Sequence, residues 1–427
     1  MSISGKKLLV LGGSRWLLEI VNQAKKMGLT VYVTDNNPAS PCKKVADKSF
    51  DISAIDVDGV AQLCKEEHID GVITGFVDML LPYYAQICEK TGLPCYGSSE
   101  LFSLFTNKAE YKKLCREYGV PVVEEYDITL NNFDREVSSV RFPVIVKPVD
   151  DSGSRGITIC STAEELKEAL LHAADVSHSG RCIVERYMDT DEVMVYWVFD
   201  NGEYYLSAVA NRHVRHLNGD KVIPSLVGFS LPSNTTTYYI DHIAENVKKM
   251  LKSQNIKNGM MFMQCKVEDN VCYVFDIGYR LTGSLEYHII EKLCGYNTLE
   301  AMIRFAVTGN MGLNACLIDP LFKGYGYSVV GQMKPGFIAD ITGIDEIAHA
   351  DGICNVFNMH VPGDTVSDKV CGTLMQVCYR IHGTVGSKEE IYPAMEKVHN
   401  GIRIISDSGE NLILPGVPEE EIERRVD

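Results

Sequence analysis

A chain of 427 residues can be read first by what it lacks. No stretch approaches 18 or so consecutive apolar residues, roughly the minimum for a membrane-spanning helix. The opening MSISGKKLLVLGG carries only a short apolar run, which argues against a secretory signal. A basic excess is missing too. The chain has 41 Lys and Arg against 57 Asp and Glu, a net charge of −16, so no nucleic-acid partner is expected. The 14 cysteines form no CxxC pair and no zinc-like spacing with histidine, and a chain of this length needs no disulfide framework. The expectation is a soluble, cytoplasmic protein with reduced thiols and no membrane contact. GxxxxGK[ST] is absent, and the Gly12-Gly13-Ser14 turn is not GxGxxG. Internal repeats and low-complexity segments are absent as well.

What is present reads as an α/β protein. A hydrophobic content of 45% with 23% charged residues is ordinary for a globular chain, and the length suggests two to four domains. In residues 6–100, strands alternate with helical patterns: KLLVL (7–11), a helix over 15–27, TVYVTD (30–35), DGVIT (70–74) and a helix over 81–92. That alternation predicts a parallel, doubly wound sheet. Asp35 ends the second strand where a dinucleotide fold would hold ribose, but without the glycine fingerprint a structural role is favoured. A charged helix over 106–119 marks the next domain. Two hairpins follow, one turning at Asn201-Gly202 and one near Glu268-Asn270. Beyond 312 the chain becomes Gly-rich and strand-like, with a helix near 388–400 and a late strand at 402–406.

The chemistry is concentrated in FPVIVKPVDDSGSRGI, residues 142–157. A β-branched strand delivers Lys147, and the segment holding Ser152, Gly153, Ser154 and Gly156 can fold its backbone N–H groups over phosphate oxygens. Read alone, this also fits a hairpin with a solvated lysine, the less favoured reading. Read with its neighbours, the strand-Lys-Pro-Gly-loop order resembles the ATP-grasp superfamily. VVGQMKPGFIADITGIDEI, VPGDTV and GTVGSKEEIYPAMEKV resemble the C-terminal portion of its carbamoyl-phosphate-synthase-like branch, which includes the L-amino-acid ligases. The resemblance implies an ATP-grasp fold with a Rossmann-like pre-ATP-grasp domain (1–105), an ATP-grasp core (106–311, lid about 120–187) and a small mixed α+β domain (312–427).

It also implies roles for particular residues. Lys108, after Asn107, and Lys147 would clamp the phosphates of ATP, with the Gly-rich loop closing over them. In CIVERYMDTDE, Glu185 falls at the acidic linker position and Met188 meets the adenine edge. Glu192 in the same stretch accepts the ribose hydroxyls, for which a carboxylate with two acceptor oxygens is suited. Arg212, in ANRHVRH, would touch phosphate or the acceptor carboxylate. Mg²⁺ requires hard oxygen ligands. Gln264 and Asp276, facing each other across the second hairpin, are the expected metal ligands. The family then shows an asparagine where this chain has Gly278, leaving a gap for water or a neighbouring side chain. An asparagine restored there is expected to be neutral or to tighten the metal. Arg280 would hold a carboxylate or acyl phosphate in bidentate fashion. Glu286 and His288 are candidates for the acceptor pocket, or simply for a helix start.

ATP-grasp ligases phosphorylate a carboxylate, and an amine or thiol attacks the acyl phosphate. Positioning and charge neutralisation carry such chemistry, so no protein nucleophile is required. The expected function is therefore an ADP-forming carboxylate–amine ligase using ATP and Mg²⁺. Its substrates would be a small acid (amino acid, peptide or sugar acid) and an amine, and a homodimer is compatible. Two alternatives stand beside it. One is a glycinamide-ribonucleotide-synthetase-like or biotin-carboxylase-like enzyme, although the full Asn-x-Arg motif and the Cys-containing basic run are missing. The other is an ATP-binding module without turnover.

Overall fold

The structure, a computed structural model, describes residues 3–150, 156–217 and 224–425. Apolar strands β1 (Lys7–Leu11) and β2 (Thr30–Thr34) pair in parallel, flanked by β3 (Lys48–Phe50) and β4 (Gly71–Ile73) in the order β3-β2-β1-β4. Each strand except β3 is almost wholly buried, as the covered faces of a parallel sheet require. Helices α1 (Leu18–Lys26) and α2 (Val57–Glu66) supply crossovers, and α3 (Leu81–Thr91) follows the last strand, β4. The predicted 15–27 helix begins as a 3₁₀ turn over Arg15–Leu17. Asp35 has the structural role expected of it: its carboxylate accepts from the Gly13 N–H at 2.6 Å and the Asn37 N–H at 2.7 Å, bracing the turn after β1.

Helix α4 (Ser99–Thr106) leads into α5 (Lys108–Glu117), whose N-cap Asn107 accepts from the Ala109 and Glu110 N–H groups. The stripe Lys108, Tyr111, Lys112, Leu114 and Cys115 is buried, so two lysines of this charged helix lie on its inner face. A small unit with its own core follows. It contains β5 (Glu125–Tyr126), the short helix α6 (Phe133–Glu136), β6 (Val144–Pro148), β7 (Thr158–Cys160), α7 (Ala163–Val176) and β8 (Cys182–Arg186), in sheet order β5-β8-β6-β7.

The large sheet begins with β9 (Glu192–Asp200) and β10 (Glu203–Arg215), which turn at Asn201-Gly202 with φ of 53° and 85°. These left-handed values suit asparagine and glycine in a two-residue hairpin. Next come β11 (Ser225–Leu231), helices α8 (Thr236–His242) and α9 (Ala244–Ser253), and the hairpin β12 (Gly259–Glu268)–β13 (Val271–Gly278). Helices α10 (Tyr287–Cys294) and α11 (Thr298–Thr308) follow. The last portion contains β14 (Tyr325–Gln332), β15 (Gly336–Phe337), β16 (Asp340–Thr342), α12 (Ile344–Ala348), β17 (Ile353–Asn358), β18 (Thr365–Val366), β19 (Val377–Val385), α13 (Ile391–Gly401), β20 (Arg403–Ile405) and α14 (Glu419–Arg425).

One eight-stranded sheet, β13-β12-β9-β10-β11-β14-β19-β17, runs through the middle and the end of the chain. Strand β11 pairs with β14, so the C-terminal strands continue the sheet that carries the hairpins. All 14 cysteines are free. Among the described residues no helix is long and apolar enough to cross a membrane.

Candidate active site

Between the small four-stranded sheet and the large sheet lies a cavity of about 440 Å³. Lys108, Lys147, Glu185, Met188, Glu192, Arg212, Gln264, Asp276 and Arg280 all line it. These residues span more than 170 positions of sequence, and the fold brings them to one space. Ser152, Gly153 and Ser154 lie outside the described residues. Gly156 does not line the cavity. It adopts φ of +66°, and a Cβ there would stand 2.8 Å from Pro148 and 3.0 Å from Val176.

The floor on the β6 side is a buried charge relay. Lys147 Nζ donates to Glu185 Oε2 at 2.7 Å and sits 5.1 Å from the centre of the Phe275 ring. The other oxygen of Glu185 pairs with Lys112, which approaches from α5. Glu185 and Lys112 have no exposed surface, and Lys147 is 6% exposed. Burial alone would raise the Glu185 carboxyl, but Lys112 and Lys147 outweigh it and hold the group below the ordinary carboxylate value. Burial pulls the Lys112 ammonium down to about 8 despite Glu185. With all three charged, the cluster carries one net positive charge, and the ammonium that reaches the cavity is Lys147. Lys108, 8% exposed, stands at the start of α5, where its backbone N–H donates to the Val149 carbonyl at 3.1 Å.

Glu192 is the second fixed carboxylate. Cross-strand register places Arg212 of β10 and Lys266 of β12 on either side of it. Lys266 Nζ lies 2.9 Å from one oxygen, and Arg212 pairs with the other. Burial would raise this carboxyl, yet the two cations bring it down to about 2. In the basic run, strand alternation sends Arg212 into the cavity and His213 away from it, to Ser230 at 2.9 Å and Glu421 at 3.0 Å. Arg215 instead donates to the Gly416 carbonyl.

Gln264 and Asp276 are direct register partners on β12 and β13. Tyr111 donates to the Asp276 carboxylate at 3.3 Å, orienting it from α5. Among the described residues no group of three or more His, Cys, Asp and Glu could hold a metal. An amide oxygen and one carboxylate fit an ion that keeps water and phosphate oxygens in its shell, as Mg²⁺ does.

Two expectations change in this region. Gly278 is not an open gap: a Cβ placed there would meet the Phe262 ring at 2.3 Å. The ring fills the space of the missing asparagine, so restoring an asparagine is expected to clash rather than tighten a metal. Nor does Arg280 stand open. It makes the expected bidentate contact, but with Asp78 of the N-terminal domain, at 2.6 and 2.8 Å, and its guanidinium stacks 5.1 Å from the Phe262 ring centre. Glu286 and His288 do not line the cavity. Glu286 accepts from the Ser284 hydroxyl at 2.7 Å, burial raises it to about 7, and His288 pairs with Glu19 at 2.7 Å.

Sequence reading passed over Lys112, Lys266, Asp78 and Phe262. The first two had a signal. Lys112 is four residues from Lys108 on one helix face, and Lys266 is two from Gln264 on one strand face. No pattern marks Asp78, whose partner lies 202 residues away.

Residues 140–285 match the family described as ATP-grasp domain, and residues 8–93 match PylC-like, N-terminal domain. A formate-dependent phosphoribosylglycinamide formyltransferase from Sulfurisphaera tokodaii is 26% identical over 205 residues, covering 46% of this chain and 51% of that protein. The chain spans about half the length of the first curated relatives it matches. An L-amino acid ligase structure from Bacillus licheniformis aligns with a TM-score of 0.76 at 18% identity, covering 95% of this chain and 99% of that one. The biotin carboxylase domain of a Hydrogenobacter thermophilus 2-oxoglutarate carboxylase, crystallised with MgADP and bicarbonate, aligns with a TM-score of 0.77 at 18% identity, covering 93% and 90%. These structural likenesses are of fold. The two domain matches show that the chain carries an ATP-grasp domain over residues 140–285 and a PylC-like N-terminal domain over residues 8–93.

Proposed function

We propose that the protein is an ATP- and Mg²⁺-dependent carboxylate–amine ligase, releasing ADP and acting on a small carboxylic acid and an amine. The observation that carries this reading is the convergence of Lys147, Lys108, Glu192 and the Gln264–Asp276 pair on one cavity. ATP would lie with its phosphates toward Lys147, Lys108 and the loop after β6, its ribose toward Glu192 and its adenine toward Met188. Mg²⁺ on Gln264 and Asp276 would neutralise phosphate charge. Glu185 fixes the position of the Lys147 ammonium, so the positive charge is preorganised rather than gathered during the reaction. The acceptor carboxylate attacks the γ-phosphorus with loss of ADP, and the amine then displaces inorganic phosphate from the acyl phosphate. Arg280 would orient that carboxylate once its contact with Asp78 opens. The likeness to an L-amino acid ligase and to phosphoribosylglycinamide-metabolising proteins supports an acid and an amine as the substrate pair.

The domain division 1–105, 106–311 and 312–427 belongs to this proposal, as do a cytoplasmic location and assembly as a homodimer. The reading without turnover draws on Phe262 at the asparagine's place and on Arg280 closed over Asp78. ADP release measured across a panel of acids and amines separates the two. Acid-plus-amine-dependent ADP release is the expected result. ATP-analogue binding with no ADP from any pair would favour the module.

A further inference from the structure

Arg380 is a buried arginine that is not among the residues lining the nucleotide cavity. It lies on β19, 3% exposed. Its Nε and Nη1 are buried without a hydrogen-bond partner, and among the described residues no carboxylate pairs with it. Its neighbours Tyr379 and Ile381 face the C-terminal core, while His382, two residues on, points to the ATP-grasp side, where its Nε2 donates to the Ser284 carbonyl at 2.8 Å. Arg380 thus faces the rest of the molecule from the C-terminal strands. Its guanidinium carbon stands 5.5 Å from the centre of the Trp16 ring, which is stacked on Phe357 at 5.0 Å.

Trp16 follows the turn after β1, and Phe76, 6.2 Å from Trp16, follows β4. Arg380 is therefore held against the carboxyl edge of the parallel sheet, where doubly wound folds bind ligands. The Arg280–Asp78 pair occupies the same edge, since Asp78 also follows β4. Arg212, in the nucleotide cavity, is close enough that its charge disfavours that of Arg380. Burial first, and then Arg212, pull the Arg380 guanidinium down to about 10. A buried cation without a counter-charge is expensive, and folded proteins pair such groups. An arginine placed beside another arginine and packed on a tryptophan face fits a receptor for an anion that none of the described residues supplies.

We propose that Arg380 anchors the anionic group of the acceptor substrate, a carboxylate or a phosphate monoester on a small molecule, at the junction of β19 and the carboxyl edge of the N-terminal sheet. The proposal rests on the ligase reading, and it identifies the substrate as one carrying an oxyanion remote from the reacting centre. Trp16 forms one wall, and bidentate donation from the guanidinium sets the orientation of the anion.

The test measures thermal unfolding of the full chain with a non-hydrolysable ATP analogue present. One arm titrates L-glutamate, L-alanine and succinate. The other titrates inorganic phosphate and glycerol 3-phosphate, so the responding arm identifies the oxyanion. At least one of these probes is expected to raise the wild-type melting temperature. Arg380→Met should weaken its midpoint about ten- to hundredfold, the loss of a hydrogen-bonded charge pair. Without added anion, Arg380→Met should melt at the wild-type temperature or above, because it removes a buried unpaired charge. Arg380→Lys, which keeps the charge but loses the fork, should fold and bind the probe more weakly than wild type, and it serves if the methionine variant does not fold. Binding of a fluorescent ATP analogue should be equal in all three proteins. Loss of nucleotide binding by the wild type would overturn the ligase reading instead. Unchanged anion midpoints in the variants, or no response of the wild type to either arm, would overturn the role of Arg380. A lower melting temperature in Arg380→Met with unchanged midpoints would make it a structural arginine.

Discussion

Replacing Lys147 separates chemistry from stability in a way the Lys112–Glu185–Lys147 relay makes measurable. In Lys147→Met the Glu185 carboxylate keeps Lys112, so the buried pair stays neutral and the fold loses little. What disappears is the only ammonium of the relay that lines the cavity. One preorganised contact to developing phosphate charge is worth roughly 10²–10³ in rate, so ADP release should fall by that factor while the melting temperature moves by only a few degrees. Glu185→Gln reverses the pattern. It leaves two buried ammoniums, Lys112 fully enclosed and Lys147 6% exposed, with only Glu125, 3.5 Å from Lys112, as a counter-charge. Breaking a buried pair in this way costs about 3–5 kcal/mol, or roughly 6–20 °C in melting temperature. Differential scanning fluorimetry and a coupled ADP assay on the two variants give both numbers. Near-wild-type ADP release by Lys147→Met would refute the placement of phosphate at this ammonium. A Glu185→Gln protein as stable as wild type would refute the relay.

Three further outcomes are expected. The folded pKa of Glu192, about 2, lies below its ordinary 4.5, so the unfolded chain binds the extra proton first as pH falls. Its contribution, about 3 kcal/mol, is fully present above pH 4.5 and lost between there and pH 2. Urea unfolding at a series of acidic pH values should therefore show a weaker pH dependence in Glu192→Gln, and parallel curves would contradict the assignment. Asp276→Asn should raise the Mg²⁺ concentration needed for half-maximal ADP release more than Gln264→Glu does, and no change in Asp276→Asn would place the metal elsewhere. Gly278→Asn should destabilise by about 1–3 kcal/mol because its Cβ overlaps the Phe262 ring. Combined with Phe262→Ala it should cost less than the sum of the two, as contacting sites couple in thermal unfolding.

The sequence by itself determined the order of elements and most of the charged residues that line the cavity. The alternation of apolar strands and helical patterns marks the parallel sheet, because period and turn chemistry are local properties. The pairing of β12 with β13 could be read from hairpin arithmetic, since a two-residue turn at Asp269-Asn270 sets the register as far as Cys265, but that count puts Gln264 opposite Phe275, and a bulge between Gln264 and Cys265 moves its partner to Asp276. Lys147 and Glu192 were legible for a similar reason: each sits at a strand end inside a short, ordered motif. The partners of these groups depended on tertiary structure. Lys112 reads as a surface lysine until α5 is laid against β8. The fate of Arg280 was decided by Asp78, which the sheet–helix crossover of another domain delivers. Gly278 looked like a vacancy because a sequence shows which side chain is missing but not which neighbour enters the space, and here Phe262 on the facing strand enters it. Arg380 carried no motif at all. Its burial beside Trp16 and Arg212, with no carboxylate paired to it among the described residues, arises only where strand β19 meets the edge of a sheet built from the first 73 residues, because charge complementarity between segments so far apart is settled by packing.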